Sequence, residues 1–265
     1  MMPWLVAIPS YKRAECLKKR TLATLAAGGV PSELITVFVA NETEAVQYRA
    51  VLDKSTYKDI VVAELGMHKV RNCITRHYAN GQLLVQVDDD VRGVFELGSD
   101  GKALIARTDL VSIFDSGFAT SHSVGARLWG MYPVCNAFYM YRKVTKDLRP
   151  IIGTLWGNVN DHSLPLLECP AKSDVERTLL YYVADGAVLR FNHLAPKQQA
   201  WTNPGGCQAS GSRTLEISEA VVQSLLKRFP KFCTRGRPHK EGHAEVRLKD
   251  LVGYGEARLR FRGKF

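Results

Sequence analysis

The chain has 265 residues, with 36 Lys and Arg against 26 Asp and Glu, which gives a formal net charge of +10 at pH 7. Its hydrophobic fraction of 46% is typical of globular proteins and excludes a disordered tail or a fibrous repeat. The length suits one large domain or two small ones and is sufficient to bury a core. The positive charge indicates an anionic partner and carries no information about the fold.

The first ninety residues alternate between predicted strands and predicted helices. Strands are predicted at residues 4–8, 35–40, 60–63 and 83–87. Helices are predicted between them at residues 14–25, 42–52 and 68–78. This alternation is typical of a parallel sheet with right-handed crossovers. We therefore expect an α/β fold whose ligands lie beyond the carboxyl ends of the strands.

The second half of the sequence is less regular. Helices are predicted at residues 108–120, 174–184 and 215–229, and strands at residues 127–132, 138–142 and 187–191. Residues 196–212 are rich in Gly, Pro, Gln and Ser, which is typical of a mobile loop. Residues 156–161 are interpreted either as an acceptor contact or as an ordinary turn beside a core tryptophan.

Three consecutive acids, Asp88, Asp89 and Asp90, directly follow the predicted strand 83–87. Like charges at contact distance raise one another's pKa and destabilise the fold. A divalent cation relieves this repulsion, and carboxylates are the ligands that Mg²⁺ and Mn²⁺ prefer. The triplet therefore predicts a metal site. The alternative is an acidic turn that caps the next helix, favoured by the helix dipole.

A basic loop follows the first predicted strand. It combines a hydroxyl, an aromatic ring and two cations, in the order Pro9, Ser10, Tyr11, Lys12 and Arg13. Such a loop suits the stacking of a nucleotide base and the binding of a diphosphate. An ordinary basic turn is the alternative.

A third motif, Arg71 with Asn72, lies on the helix that precedes the acidic strand. A guanidinium suits bidentate recognition of a phosphate or of a uracil edge, and an amide supplies a matching donor and acceptor. A solvated helix face is the alternative interpretation.

Together these three motifs resemble the nucleotide-sugar half of the GT-A glycosyltransferases. The resemblance covers residues 4–91, from the Pro-Ser-Tyr-Lys-Arg loop through Arg71-Asn72 and Gly81 to a strand ending in an Asp-x-Asp signature. It implies a UDP-sugar donor and a bound Mn²⁺ or Mg²⁺. It assigns donor binding to Pro9, Ser10, Tyr11, Arg13, Arg71, Asn72, Asp88 and Asp89, and metal binding to Asp88 and Asp90.

Two further features resemble parts of the same family. Residues 173–177 are similar to an acidic motif that opens a helix and supplies the base for the acceptor, although Ser173 stands where Glu is usual. The resemblance makes Asp174 the first candidate for the base and Glu176 the second. A helix-capping role for Asp174 is the alternative. A C-terminal His often completes the metal site in this family, which makes His239 and His243 candidate ligands.

Within GT-A enzymes, residues 8–13 and 87–91 look closest to the base J glucosyltransferase-like group. This group is also called the TET/JBP-associated glycosyltransferases and is found largely in phages and kinetoplastids. The resemblance implies transfer of a hexose, with glucose expected, from UDP to the hydroxyl of a hydroxymethylated pyrimidine in DNA.

The positive charge is concentrated at the C-terminal end. Residues 227–265 carry twelve Lys and Arg against four acids, a net charge of +8. We expect residues 1–226 to form the catalytic domain, with a donor half at 1–91 and an acceptor half at 92–226, and residues 227–265 to extend it. Basic side chains interleaved with aromatic ones suit nucleic acid. The predicted DNA contacts are Arg235, Arg237, Lys240, Arg258, Arg260 and Arg262.

Other functions remain open at this level. A GT-A enzyme acting on a glycan, lipid or protein, a non-catalytic nucleic-acid-binding module, and a nucleotidyltransferase each fit part of the pattern. The sequence shows neither a signal peptide nor a membrane span, so a cytoplasmic location is expected, in the host cell if a phage encodes the chain.

Overall fold

The computed structural model describes residues 3–167, 171–198, 214–239, 241–251 and 253–254. Within these ranges, no helix combines the length and the apolar character that crossing a membrane requires. The predictions for residues 199–212 and for Lys240, Arg258, Arg260 and Arg262 lie outside the described residues.

The described chain alternates strands and helices in its first half and is more irregular in its second. The strands are β1 Leu5–Pro9, β2 Ile35–Val39, β3 Asp59–Val62, β4 Leu83–Val87, β5 Val91–Leu97, β6 Leu104–Arg107, β7 Leu128–Met131, β8 Val144–Thr145, β9 Leu155–Val159, β10 Leu189–Phe191, β11 Leu194–Gln198, β12 Cys233–Arg235 and β13 Val246–Leu248. The helices are α1 Ala14–Leu17, α2 Ala23–Ala27, α3 Glu42–Val51, α4 Met67–His77, α5 Leu110–Ser123, α6 Ser173–Asp185 and α7 Leu215–Arg228. A π-helical segment, Lys18–Leu22, joins α1 to α2.

Eight strands form one sheet in the order β3-β2-β1-β4-β9-β7-β10-β8. Strands β3, β2, β1 and β4 pair in parallel, as do β7 and β10. Strand β9 runs antiparallel between β4 and β7, and β8 runs antiparallel at the edge. The predicted α/β fold with a mainly parallel sheet and flanking helices is confirmed.

Strand β9 corrects the interpretation of residues 156–161 as a turn. Gly157 pairs with Val85 on one side and with Trp129 on the other, in the middle of the sheet. A Cβ on Gly157 would lie 2.4 Å from the indole of Trp129, and a Cβ on Gly117 of α5 would lie 2.6 Å from it. Both glycines are therefore required because the fully buried indole fills the space where their side chains would be.

The predicted strand at residues 138–142 is wrong. Asn136 instead forms a turn, since its side-chain Oδ1 accepts from the backbone N–H of Phe138 (3.0 Å) and its carbonyl accepts from that of Tyr139 (3.1 Å). Local hydrogen bonds of this kind compete with a sheet ladder. The strand that does form, β8, lies a few residues later and pairs with β10.

A second hydrophobic core lies under the C-terminal elements. Helices α6 and α7 pack there with the β12–β13 hairpin, and aromatic side chains of Tyr182, Phe232 and Tyr254 contact one another with centroids 4.8–5.8 Å apart. The hairpin is therefore anchored by packing against α6 and α7, while its charged side chains remain at the surface.

Candidate active site

The acidic triplet forms a turn at the carboxyl end of β4, beside the carboxyl end of the neighbouring parallel strand β1. The backbone N–H of Asp88 donates to the carbonyl of Thr154, at the start of β9, over 2.9 Å. The turn therefore lies where β1, β4 and β9 meet, at the edge where α/β sheets bind ligands.

The central acid of this turn is buried and fully engaged. Asp89 is 4% exposed. One of its carboxylate oxygens accepts from Ser10 Oγ (2.6 Å) and the other from Arg13 Nη1 (3.1 Å). Burial raises the pKa of Asp89, and Arg13 and Ser10 oppose that rise. Ser10 and Arg13, predicted as nucleotide contacts, thus also hold the acidic turn in place.

Helix α3 fixes the shape of the basic loop. The Tyr48 hydroxyl lies 2.6 Å from Ser10 Oγ and accepts from the backbone N–H of Arg13 at 2.9 Å. Because Ser10 donates its proton to Asp89, Tyr48 is the donor to Ser10. Glu44 accepts from the N–H of Lys12 at 2.7 Å, and Lys12 adopts a left-handed φ of +55°. The loop is therefore pre-formed.

The π-helical segment Lys18–Leu22 holds the turn from its other side. Thr21 is fully buried, and its hydroxyl donates to the carbonyl of Asp88 (2.7 Å) and accepts from the N–H of Val91 (3.0 Å). One hydroxyl thus binds the backbone at both ends of the triplet. Thr21 is not among the residues predicted for the site, because no local sequence pattern indicates a π-helical turn.

Asp88 is the more open carboxylate, with its side chain 28% exposed. Arg71 donates to it at 2.8 Å, and also to Gln86 (2.8 Å) and to the carbonyl of Gly153 (3.2 Å). Burial raises the pKa of Asp88 to about 7, with Asp90 and Asp89 adding to the rise and Arg71 opposing it. Arg71 is itself 3% exposed, so its guanidinium orients Asp88 from within the fold.

Asn72 lies one residue after Arg71 but faces a different partner. Its amide Nδ2 donates to the carbonyl of Leu166 (2.7 Å), and its Oδ1 accepts from the N–H of Leu166 (2.9 Å). This pair of hydrogen bonds to the backbone anchors the segment before α6. Both groups of the Asn72 amide are thus bound to the backbone, and a role of Asn72 at the nucleotide stays a prediction.

The two candidate bases differ in their access to substrate. Asp174 lies in the first turn of α6, half-buried, and accepts from the N–H of Val175 at 2.9 Å. Glu176 is fully buried and accepts from the N–H of Leu167 (2.8 Å) and from Arg228. Glu176 is thus held inside the fold by these two donors. The structure gives Glu176 a structural role and leaves Asp174 as the predicted base.

A residue that the sequence analysis did not assign, Arg177, lies between the two acidic regions. It is 4% exposed, its guanidinium carbon lies 3.6 Å above the ring of Trp156, and it donates to the carbonyl of Ile151 at 2.6 Å. Burial lowers the pKa of Arg177, Arg71 lowers it further, and Asp174 and Asp88 oppose the shift. The i, i+3 spacing from Asp174 was the available signal, because it places both on one helix face.

The acidic turn fits a cation that brings some of its own ligands. Among the described residues, no three His, Cys, Asp or Glu side chains cluster closely enough to hold a metal ion. His239 and His243 close a loop through their backbones at 2.9 Å, and the structure does not gather them with the aspartates into such a cluster. Mg²⁺ is commonly bound by one or two carboxylates together with waters and substrate phosphates. Asp88 and Asp90 match that donor set.

A cavity of about 960 Å³ opens beside the basic loop, between α1 and α3. Tyr11, Lys12 and Arg13 line one wall, and Tyr48 lines the other. Pro9, the last residue of β1, pairs with Phe38 of β2. Of the residues predicted to hold the donor, Tyr11 and Arg13 line this cavity, and Arg13 also contacts the acidic turn through Asp89.

Solved structures of other proteins share this fold. Residues 1–349 of S. aureus TarS in complex with UDP-GlcNAc match with a TM-score of 0.55 at 13% identity, over 85% of this chain and 67% of that chain. Glucosyl-3-phosphoglycerate synthase from Mycobacterium tuberculosis, in complex with Mn²⁺, UDP and glucosyl-3-phosphoglycerate, matches with a TM-score of 0.52 at 11% identity, over 94% and 88%. The chain has a GT-A-like fold.

No protein-family model and no curated protein matches the sequence. The GT-A-like fold is therefore established by the structure, and the resemblance noted in residues 4–91 agrees with it. Strands β4, β7 and β10 all run in the same direction, because β9 is antiparallel to both β4 and β7 and β10 is parallel to β7. Helix α6 ends just before β10 begins, so its start lies at the opposite edge of the sheet, the edge at which the acidic turn follows β4.

Proposed function

We propose that the chain is a metal-dependent glycosyltransferase that transfers a hexose from a nucleotide sugar to an acceptor hydroxyl. The observation that carries the proposal is the acidic turn at the carboxyl end of β4 in a GT-A-like sheet, where Asp88 pairs with the buried Arg71 and Asp90 with the half-buried Arg13. The TarS structure holds UDP-GlcNAc, and the synthase structure holds Mn²⁺ and UDP. Both support a nucleotide-sugar donor.

Different residues of the chain would orient the carboxylates and bind the nucleotide of the donor. Arg71 orients Asp88, and Arg13 orients Asp89 while lying 3.6 Å from Asp90. A bound Mn²⁺ or Mg²⁺ would neutralise the negative charge that develops on the departing diphosphate. The basic loop and its cavity would hold the nucleotide, with Tyr11 against the base.

Asp174 is the proposed general base for the acceptor. It stands in the first turn of α6, where the helix dipole stabilises its negative charge. A positioned carboxylate that takes the hydroxyl proton contributes about 10²–10⁴-fold to the rate. The buried guanidinium of Arg177 lies about one turn further along the same helix.

For the acceptor, we propose a hydroxymethylated pyrimidine in DNA, with UDP-glucose as the donor. An exposed aromatic pair follows β7: Phe138 is 85% and Tyr139 54% exposed, with their centroids 4.9 Å apart. Exposed rings of this kind suit stacking with an unpaired base. A base modified within a duplex must first leave the stack, and an aromatic platform would stabilise it outside. The basic C-terminal segment supports a phosphate backbone nearby.

The test incubates the protein with UDP-glucose, Mn²⁺ and DNA that contains hydroxymethylcytosine or hydroxymethyluracil. Mass spectrometry of the digested DNA should show a hexose-sized gain on the modified base. Asp174→Asn should reduce that gain by about 10²-fold or more, whereas DNA without hydroxymethyl groups should stay unmodified.

Two other results would overturn parts of the proposal. Release of UDP with no mass gain on any DNA would retain the sugar-transfer activity and exclude the DNA acceptor. Failure to bind UDP in the presence of Mn²⁺, measured by calorimetry, would exclude the glycosyltransferase itself.

A further inference from the structure

A cavity of about 710 Å³ lies between the turn after β8 and the β12–β13 hairpin. Four arginines from four different segments line it: Arg149, Arg190, Arg237 and Arg247. None of them belongs to the acidic turn, to the basic loop or to the start of α6. The fold thus gathers guanidinium groups at a second place that the donor chemistry does not use.

The negative charges around this cavity are already engaged. Each of its three carboxylates has a partner: Asp147 pairs with Arg149 (2.8 Å), Glu245 with Lys172 (2.7 Å), and Asp250 accepts from Tyr182. Arg237 and Arg247 are exposed, and within the described part of the chain neither side chain forms an ion pair. Asp250 keeps its charge beside the neutral phenol of Tyr182, but four arginines and Lys172 outnumber the three carboxylates, so the region of the cavity carries a net positive charge.

Arg190 lies at the base of the cavity and is 6% exposed. Its Nε donates to Asn192 Oδ1 (2.8 Å), its Nη1 lies 3.5 Å from the carbonyl of Pro150, and its guanidinium carbon lies 5.2 Å from the ring of Tyr132. Among the described residues these partners include no carboxylate. Burying a cation against neutral groups is costly, and an anion in the cavity would offset that cost.

A single segment joins the cavity to the acidic turn. Pro150 lines the cavity, and three residues later the carbonyl of Gly153 accepts from Arg71 at 3.2 Å. Three extended residues span at most about 11 Å. A substrate of nucleotide size can therefore place one group in the cavity while its reacting hydroxyl lies at the acidic turn.

We infer that this arginine-lined cavity binds a phosphate group of the acceptor, with Arg237 and Arg247 as its direct contacts and Arg190 at its base. Guanidinium groups suit phosphate because their paired N–H donors match two of its oxygens. The position of the reacting hydroxyl rests on the proposed function. If the acceptor is DNA, the bound group is the phosphodiester beside the modified nucleotide.

The test compares the wild type with the double variant Arg237→Gln/Arg247→Gln. Arg76→Gln is the matched control, since Arg76 is an exposed arginine of α4 paired with Glu64. Calorimetry at low salt measures the binding of inorganic phosphate and of a short single-stranded oligothymidylate, and separately of UDP with Mn²⁺. In the double variant we expect the affinity for both phosphate probes to fall about tenfold or more, with UDP binding unchanged. The control should match the wild type.

The outcomes separate this inference from the proposed function. Arginine-dependent phosphate binding with an oligonucleotide that binds no more tightly supports a phosphate site and overturns the DNA acceptor. Wild-type affinity for both probes in the double variant overturns the cavity as a phosphate site, whatever the acceptor is. A parallel loss of UDP binding would also overturn it, because the arginines would then act at the donor.

Discussion

The acidic turn and the basic hairpin carry opposite charges, and they are also built in opposite ways. Around the acidic turn, side-chain and backbone groups are bound by partners from the basic loop, from α4 and from the π-helical segment. On the hairpin, Arg237 and Arg247 are exposed and form no ion pair with any described residue.

This difference indicates what each region does before substrate arrives. A site whose charges are fixed beforehand needs little rearrangement when charge develops during reaction. A surface whose cations are exposed and unpaired attracts an anion and adapts to it. The acidic turn is thus pre-organised, whereas the exposed cations of the hairpin would be completed by an anion.

Removing the Asp90 carboxylate should give the largest effect, and it should lower activity without changing stability. We expect Asp90→Asn to reduce sugar transfer by about 10³-fold, because the cation loses one of its two charged protein ligands. The melting temperature should stay close to that of the wild type. Steady-state assays over a range of Mn²⁺ concentrations measure the loss. Glu33→Gln, at an exposed position, is the control, and wild-type turnover in Asp90→Asn would contradict the metal assignment.

The ion pair between α6 and α7 tests whether the hairpin that follows α7 is anchored by buried contacts. Glu176 is fully buried and pairs with Arg228 in the last turn of α7. Arg228→Met should destabilise the fold by about 3 kcal/mol, because it leaves a buried charge without its partner. Denaturant unfolding measures this change. Lys227→Met, one residue earlier and exposed, should cost far less, and equal losses in the two variants would argue against the buried pair.

The hydroxyl of Thr21 tests how the acidic turn is held. Thr21→Val keeps the shape of the side chain but leaves the carbonyl of Asp88 and the N–H of Val91 without their partner. We expect a destabilisation of about 1–3 kcal/mol together with a raised KM for the donor. Thr56→Val, whose hydroxyl donates to Asp53 in an exposed turn, serves as the comparison. A stability change without any change in KM would show that the turn holds its shape unaided.

The smallest effect on the fold should come from the hairpin. Arg237→Gln/Arg247→Gln should change the free energy of unfolding by no more than about 0.5 kcal/mol, as is usual for exposed side chains without partners. Thermal unfolding measures it in the absence of phosphate. A larger loss would reveal a structural role for these cations and weaken the contrast with the acidic turn.

Much of the donor half could be predicted from the sequence because its signals are local. Each parallel strand is a short apolar run, and the three aspartates follow β4 as expected. Helices α3, α4 and α6 lie within one or two residues of their predicted bounds. The basic loop, Arg71 and the triplet also meet at one edge, as the order of parallel strands requires.

The remaining features depend on contacts between distant residues. Strand β9 reads as a turn because Gly157 weakens the strand pattern, and only the indole of Trp129 explains that glycine. Arg235, predicted to contact DNA, is held by two hydrogen bonds to Glu219 of α7. The pairing of Glu176 with Arg228 spans more than fifty residues. No local pattern encodes partners at such separations.

The π-helical segment places one extra residue in the turn that carries Thr21. Each residue of an α-helix turns the chain by about 100°. A one-residue deletion there would restore a regular helix but swing Thr21 away from the aspartates, or else turn Leu17 and Leu25 out of the core. The irregularity lets a single helix satisfy two incompatible registers. A search for relatives of this chain should therefore tolerate a one-residue gap inside the first helix, where a pattern built on regular periodicity would lose the alignment.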